Sequence, residues 1–169
     1  SVFAGSGFGL YRSTDAGNVW QLDTVGLGDN ATSVSSFAVI GSTIFAGTSS
    51  GGVYRSTNNG DSWSQTNSGL TSPFTNALAV VNGVLLAGTQ GSGVFRSTNN
   101  GNNWSGGGVD ITLAIAVVGS DAFEATLGGV MRSTDAGLTW NPANTGIPPT
   151  NNTRSLGVLG TTLFVGMGN

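Results

Sequence analysis

The chain has no cysteine, no histidine and no lysine in its 169 residues. Without cysteine there is no disulfide framework and no thiol nucleophile. Without histidine there is no histidine-ligated metal and no Ser-His-Asp triad. Charge is scarce: 8% of residues are Asp, Glu, Lys or Arg, against about 25% in ordinary soluble domains. All five cations are arginine and the net charge is −3, which argues against a nucleic-acid partner. No run approaches the ~18 consecutive apolar residues that mark a membrane span, and no helical periodicity is visible. No signal peptide is recognisable. The chain starts inside a structural repeat, as expected where an upstream segment has been removed. A lysine-free, polar but uncharged surface suits an extracellular or cell-surface protein. What is plentiful is glycine, 29 residues, with Ser, Thr and Asn. In such a chain the N-x-S/T triplets at Asn30, Asn103 and Asn151 are expected by chance.

One octapeptide recurs four times. It runs from Ser133 to Trp140, and its other copies start at Ser13, Ser56 and Ser97 and end at Trp20, Trp63 and Trp104, so every tryptophan closes a copy. The run reads as a tight turn between antiparallel strands. Gly137, with Gly17, Gly60 and Gly101 at the same position, sits where a reversing chain needs positive φ. Asp135, with Asp15, Asn58 and Asn99, is placed to accept backbone N–H bonds across the turn; Ser133 does the same more weakly. Trp140 then points back over the sheet, where burial removes roughly 150–250 Å² from water.

The pattern S-x-D-x-G-x-T-W resembles the Asp-box, or bacterial neuraminidase repeat. Residues 133–140 match it at every defined position. Residues 13–20 have Val19 for the Thr; the copies at 56–63 and 97–104 carry Asn58 and Asn99 for the Asp, with Ser62 and Asn103 for the Thr. The resemblance covers the whole chain. It implies a β-propeller, as in sialidases, some xyloglucan-active glycosidases, photosystem assembly factors, sortilin-type receptors and secreted bacterial repeat proteins.

The box serines recur 43, 41 and 36 residues apart, the period of a four-stranded propeller blade. Aligned copies give an inner strand (residues 37–40, 78–81, 115–118 and 156–159) whose second position is always small, as a crowded axis requires. A second strand covers residues 2–5, 44–47, 85–88, 122–125 and 163–166. A third ends in arginine at residues 12, 55, 96 and 132, and an outer strand starts near each Trp. Val53 and Tyr54 point to opposite sides yet are both apolar, which favours stacked sheets over a sheet with one wet face. The expected fold is therefore all-β: one domain over 1–169, a β-propeller or part of one. Its repeats span about 1–33, 34–74, 75–110 and 111–150, with a partial repeat at 151–169. Residues 156–159 could close a ring onto residues 2–5, but residues 163–166 then duplicate a strand already present. A slice of a larger repeat protein, a ring shared between copies, and an end-to-end array all accommodate that surplus.

Candidate chemistry is thin. Arg12, Arg55, Arg96 and Arg132 hold one repeat position and read as structural, whereas Arg154 falls outside the pattern and is a candidate ligand contact. Asp15 and Asp135 belong to the turns, Asp61 to another octapeptide loop, and Asp23 and Asp29 to a solvated connection. Glu124 stands where the repeat otherwise has Ala4, Ala46, Ala87 and Val165, and a carboxylate among apolar equivalents needs a partner or a purpose. With Asp110 it is a candidate catalytic pair for glycoside hydrolysis; Asp121, three residues away on a strand, points to the other face. A sialidase would further need an arginine triad and a tyrosine nucleophile, but Tyr11 and Tyr54 occupy repeat-equivalent apolar positions. The octapeptide loops lack the bidentate Glu that closes a calcium loop, so no metal and no cofactor are expected. The resulting expectation is a non-catalytic extracellular scaffold or binding module with a glycan or protein partner, self-associating through its end strands. A glycoside hydrolase fragment and a fibre or surface-layer subunit are the alternatives.

Overall fold

The computed structural model of the chain describes residues 1–28, 33–148 and 152–168, and those residues contain strands and turns but no helix. Asp29, Asn30 and Asn151 lie outside the described residues. The strands form five antiparallel sheets, each from consecutive segments. The first holds β1 (Val2–Ser6), β2 (Gly9–Ser13) and β3 (Gln21–Asp23). The second holds β4 (Val34–Ile40), β5 (Thr43–Thr48), β6 (Gly52–Ser56) and β7 (Ser64–Gln65). The third holds β8 (Thr75–Val81), β9 (Val84–Thr89), β10 (Val94–Ser97) and β11 (Ser105–Gly106). The fourth holds β12 (Thr112–Val118), β13 (Asp121–Thr126), β14 (Gly129–Ser133) and β15 (Asn141–Pro142). The fifth pairs β16 (Asn152–Leu159) with β17 (Thr162–Gly168). Each octapeptide joins a third strand to an outer one.

The inner strands start about a turn's length earlier than the apolar pattern indicates. The reason is a bulge near the start of each, between Val34 and Ser36, Thr75 and Ala77, Thr112 and Ala114, and Thr153 and Ser155. An extra residue there breaks the alternation by which a strand is read. The small second residue of each inner strand has a local cause: Ala38, Ala79, Ala116 and Gly157 lie directly opposite Phe45, Leu86, Phe123 and Phe164. Directly opposite residues share a face, so a small side chain leaves room for the large one.

The core lies between sheets. Phe45 and Val53 of the second sheet pack on Leu85 and Phe95 of the third. From the other face, Ile44 and Tyr54 pack on Leu10 and Phe3 of the first. Between the third and fourth sheets, Leu86 and Val94 meet Ala122, with Ile115 and Trp140 beside them. Val53 and Tyr54 are both buried, so β6, the third strand of the second sheet, is dry on both faces. Glycine permits the close approach: a Cβ on Gly88 would collide with Thr112, the first residue of the next sheet's inner strand.

Two tryptophans rivet their sheet to the one before it. The Trp104 amide donates to the Ser68 carbonyl (2.8 Å) and its indole Nε1–H to the Thr66 carbonyl (2.7 Å). The Trp63 amide donates to the Val25 carbonyl (2.9 Å). Trp63 and Trp104 are 4% and 5% exposed, whereas Trp20, in the first sheet, is 40% exposed because no described sheet precedes it.

Residues 156–159 do not close a ring onto the first sheet. Among the described residues β16 pairs only with β17, which occupies the edge that β1 would need. The fifth sheet stacks on β12 and β13 instead. Among the described residues the first sheet has three strands and the fifth has two.

Candidate functional site

The octapeptide turn is built around its serine. Ser133 Oγ donates to Asp135 Oδ1 (2.8 Å) and accepts from the Gly137 amide (2.8 Å). The same pair of bonds forms at Ser13, Ser56 and Ser97. All four serines are buried. Asp135 Oδ1 accepts from the amides of Leu138 (3.1 Å) and Thr139 (2.9 Å), and Oδ2 accepts from the Thr139 hydroxyl (2.6 Å). Gly137 has φ +83°, and Ala136 before it is also left-handed at +55°. The equivalent residues are Ala16, Asn59 and Asn100, and asparagine tolerates this region better than alanine.

The Thr139 hydroxyl and amide, with the Ser133 hydroxyl, hold the Asp135 carboxyl down to about 2. Asp15 is also lowered, chiefly by Ser13 and the Val19 amide. A carboxyl whose folded pKa lies below its unfolded value stabilises the fold above the unfolded pKa and stops doing so as pH falls through the folded one. For Asp135 that window runs from 3.8 down to about 2. Asp135→Asn is therefore expected to unfold more easily than the parent at pH 5, with the gap closing toward pH 2. Urea midpoints at the two pH values measure it, and an unchanged gap would show that the charge is immaterial.

The four repeated arginines end on other parts of the chain. Arg12 pairs with Asp61 Oδ1 (2.5 Å). Arg55 donates to the Asn100 carbonyl (2.9 Å) and to Asn102 Oδ1 (2.7 Å), and Arg96 to the Ala136 carbonyl (3.3 Å). Each of these reaches the octapeptide of the next sheet. Arg132 instead pairs with Asp121 of its own sheet and lies over the Phe123 ring. Arg154 is exposed at the β16 bulge, inside the strand rather than before it, with its side chain along Gly168.

Glu124 is buried, 4% exposed, on β13 opposite Ile115 and Met131. Its Oε1 accepts from the Thr112 hydroxyl (2.5 Å). Burial raises its pKa, the Thr112 bond opposes this, and Asp110 pushes it up again. Asp110 is exposed in the loop before β12, and its carbonyl accepts from the Gly93 amide (2.9 Å). A raised carboxyl contributes stability that is fully present below its unfolded pKa of 4.5 and is lost as pH rises through the folded value. Glu124→Gln is thus expected to raise Tm at pH 8 more than at pH 4. Thermal unfolding at both values tests this; an equal shift would mean that the carboxylate is compensated where it lies.

Two clefts flank the first two sheets. One, of about 710 Å³, is lined by Arg12, Asp15, Asp23 and Asp61 among others. Burial raises the Asp23 carboxyl, opposed by Trp63 and Arg12. The other, of about 740 Å³, is mostly apolar, with Val2, Phe3, Phe37, Val39 and Ile44 among the residues that line it. Neither is lined by Asp110, Glu124 or Arg154. No group of three or more His, Cys, Asp or Glu able to hold a metal occurs among the described residues, nor a helix long and apolar enough to cross a membrane.

Sequence reasoning passed over a second repeated lock. The hydroxyls of Ser6, Thr48, Thr89 and Thr126 donate to the carbonyls of Gly9, Gly52, Gly93 and Gly129, closing each hairpin between second and third strands. The recurrence of Ala-Gly-Ser or Ala-Gly-Thr at residues 4–6, 46–48 and 87–89 was its signal. The bulge residues Ser35 and Asn76 add bonds to the carbonyls of Thr75 (2.5 Å) and Thr112 (2.8 Å) in the next sheet.

Residues 2–113 match the family described as DUF6242 beta propeller domain. No curated protein matches the chain. Among solved structures, the extracellular domain of BT4673 from B. thetaiotaomicron is 16% identical with a TM-score of 0.77, covering 98% of this chain and 24% of that one. The GH74 enzyme of Niastella koreensis is 17% identical with a TM-score of 0.73, covering 96% and 30%. YCF48 bound to D1 peptide is 18% identical with a TM-score of 0.68, covering 94% and 54%. The chain thus spans from about a quarter to about half of these proteins, and at such identities the likeness is one of fold.

Proposed function

From the premise that this chain belongs to the DUF6242 beta propeller domain family, we propose that it is a segment of an extracellular, non-catalytic propeller scaffold built from Asp-box repeats. It presents its loops to a glycan or protein partner and self-associates through its end strands. The observation that carries this reading is the destination of the repeated polar side chains. Box serines, box carboxylates and amides, and arginines all end on the chain's own turns and sheets. Side chains so engaged hold a scaffold together and are poorly placed to meet a substrate. The fold it shares with an extracellular domain and its lysine-free surface support the location. The test is binding of the labelled chain to an array of glycans and to immobilised extracellular proteins of the source cells. Saturable binding to one class supports the reading, and none to either sinks the binding-module part of it.

Glu124 supports one second reading, a glycoside hydrolase fragment. It is a buried carboxyl of raised pKa beside a second carboxylate, and GH74 enzymes share the fold. Release of reducing ends from a panel of soluble polysaccharides, abolished in Glu124→Gln, would establish it. Absence of release from the parent chain would discard it.

A further inference from the structure

We propose that Asp23 is a proton-operated clasp between the first and second sheets: its protonated carboxyl donates to the Gly60 carbonyl and holds the two sheets together, and ionisation releases that bond. The inference concerns how neighbouring repeats hold each other and is independent of any partner of the scaffold.

The second and third sheets show the bond that the clasp copies. Thr66 stands three residues after Trp63, and its hydroxyl donates to the carbonyl of Gly101, the octapeptide glycine of the next sheet. Asp23 stands three residues after Trp20, and the octapeptide glycine it faces is Gly60. A Cβ on Gly101 would lie 3.2 Å from Thr66 Oγ1, and one on Gly60 would lie 3.3 Å from Asp23 Oδ2. Phe45 lies beside the first glycine and Phe3, its equivalent, beside the second. The carboxylate oxygen of Asp23 therefore stands where the Thr66 hydroxyl stands. A hydroxyl has a proton to give to a carbonyl, whereas a carboxylate only accepts.

The atoms around Asp23 carry the mark of that mismatch. Asp23 Oδ2 and Trp63 Nε1 are buried, and neither has a hydrogen-bond partner among the described residues. At the next interface the equivalent indole, that of Trp104, donates to the Thr66 carbonyl. A buried polar atom left unpaired is costly and calls for an explanation. Asp23 lies opposite Leu10, on the face that packs against the second sheet. The charged and titratable groups that face it are few. Arg12 of β2 and Asp61 of the second octapeptide pair with each other. Asp15 accepts from the Ser13 hydroxyl and the Val19 amide. Tyr54 of β6 has its hydroxyl beside Gly28. Asp23 is thus left without a cation of its own. Burial raises its carboxyl, Asp61 adds to this, and Trp63, Arg12 and the Val25 amide oppose it. Asp23 is only half-buried, so a proton reaches it from water. That proton turns two facing acceptors into a donor and an acceptor.

A raised carboxyl contributes stability that is fully present below its unfolded pKa of 3.8 and is lost as pH rises through the folded value. Asp23→Thr carries the hydroxyl bond at every pH. Its urea midpoint is therefore expected to exceed that of the parent by more at pH 7 than at pH 3. Thr66→Asp moves the clasp to the next interface, and its midpoint is expected to fall below the parent by more at pH 7 than at pH 3. Gaps that do not change with pH in either variant overturn the proposal. Carbon NMR gives a readout that a merely structural role would not move: the Asp23 carboxyl titrates above 3.8, and the Gly60 carbonyl carbon shifts with the same midpoint in the parent but not in Asp23→Thr. A Gly60 carbonyl that does not follow Asp23 overturns it. So does a parent whose midpoint at pH 7 is raised by calcium while that of Asp23→Thr is not, which would put a cation rather than a proton between the two oxygens.

Discussion

Trp104→Ala is expected to lower the unfolding free energy by about 3–5 kcal/mol, while Trp20→Ala, the same position of the same repeat, costs under about 1.5 kcal/mol. The turn chemistry of the two copies is alike: Ser97 and Ser13 each bond the residue two places on and the glycine amide four places on. The surroundings differ. Trp104 is 5% exposed, sits with Leu70 and Phe95, and donates its indole N–H to Thr66. Its loss opens a cavity between two sheets and leaves the Thr66 carbonyl without that donor. Trp20 is 40% exposed and has less to lose. Urea unfolding of the two variants measures the difference. Equal costs would mean that the tryptophan acts through its own turn and not through the preceding sheet.

Gly69→Ala is the second large effect, with Gly146→Ala as its matched control. Both glycines take the third place of a four-residue turn after an outer strand. The turns are closed by the Leu70 amide on the Asn67 carbonyl and the Ile147 amide on the Asn144 carbonyl, both 2.9 Å. Both glycines have φ +85°, so each alanine bears a left-handed strain of about 1–2 kcal/mol. Only Gly69 is packed: a Cβ there would collide with the Trp104 carbonyl, while a Cβ on Gly146 meets nothing within 4 Å. The obstacle is backbone, which cannot rotate away, so the overpacking adds about 1–3 kcal/mol. Gly69→Ala is thus expected to cost about 2–5 kcal/mol in total and Gly146→Ala only the strain. Urea midpoints of the two variants decide it. Equal costs would show that the inter-sheet contact yields without strain.

Both comparisons turn on something the octapeptide does not display. The turn itself is legible: glycine, a short side-chain acceptor and a tryptophan at fixed spacing name a locked reversal, because each acts within the octapeptide itself. The period of the copies makes the sheets countable for the same reason. What acts between repeats is not written at one place. The Trp104 indole reaches Thr66, 38 residues back, and Arg55 reaches Asn100, 45 residues on. Each looks like any other member of its column in an alignment.

The sequence by itself determined an all-β chain of repeated antiparallel meanders, since apolar alternation and turn residues are properties of neighbours along the chain. It also marked Glu124 as the one carboxylate in an apolar column. Only the tertiary structure decided that this carboxylate is buried against Thr112, that two tryptophans are rivets while Trp20 is half open, and that β16 turns to β17. Those outcomes depend on which sheet lies next to which, and contact between distant segments is set by packing, not by the order of residues.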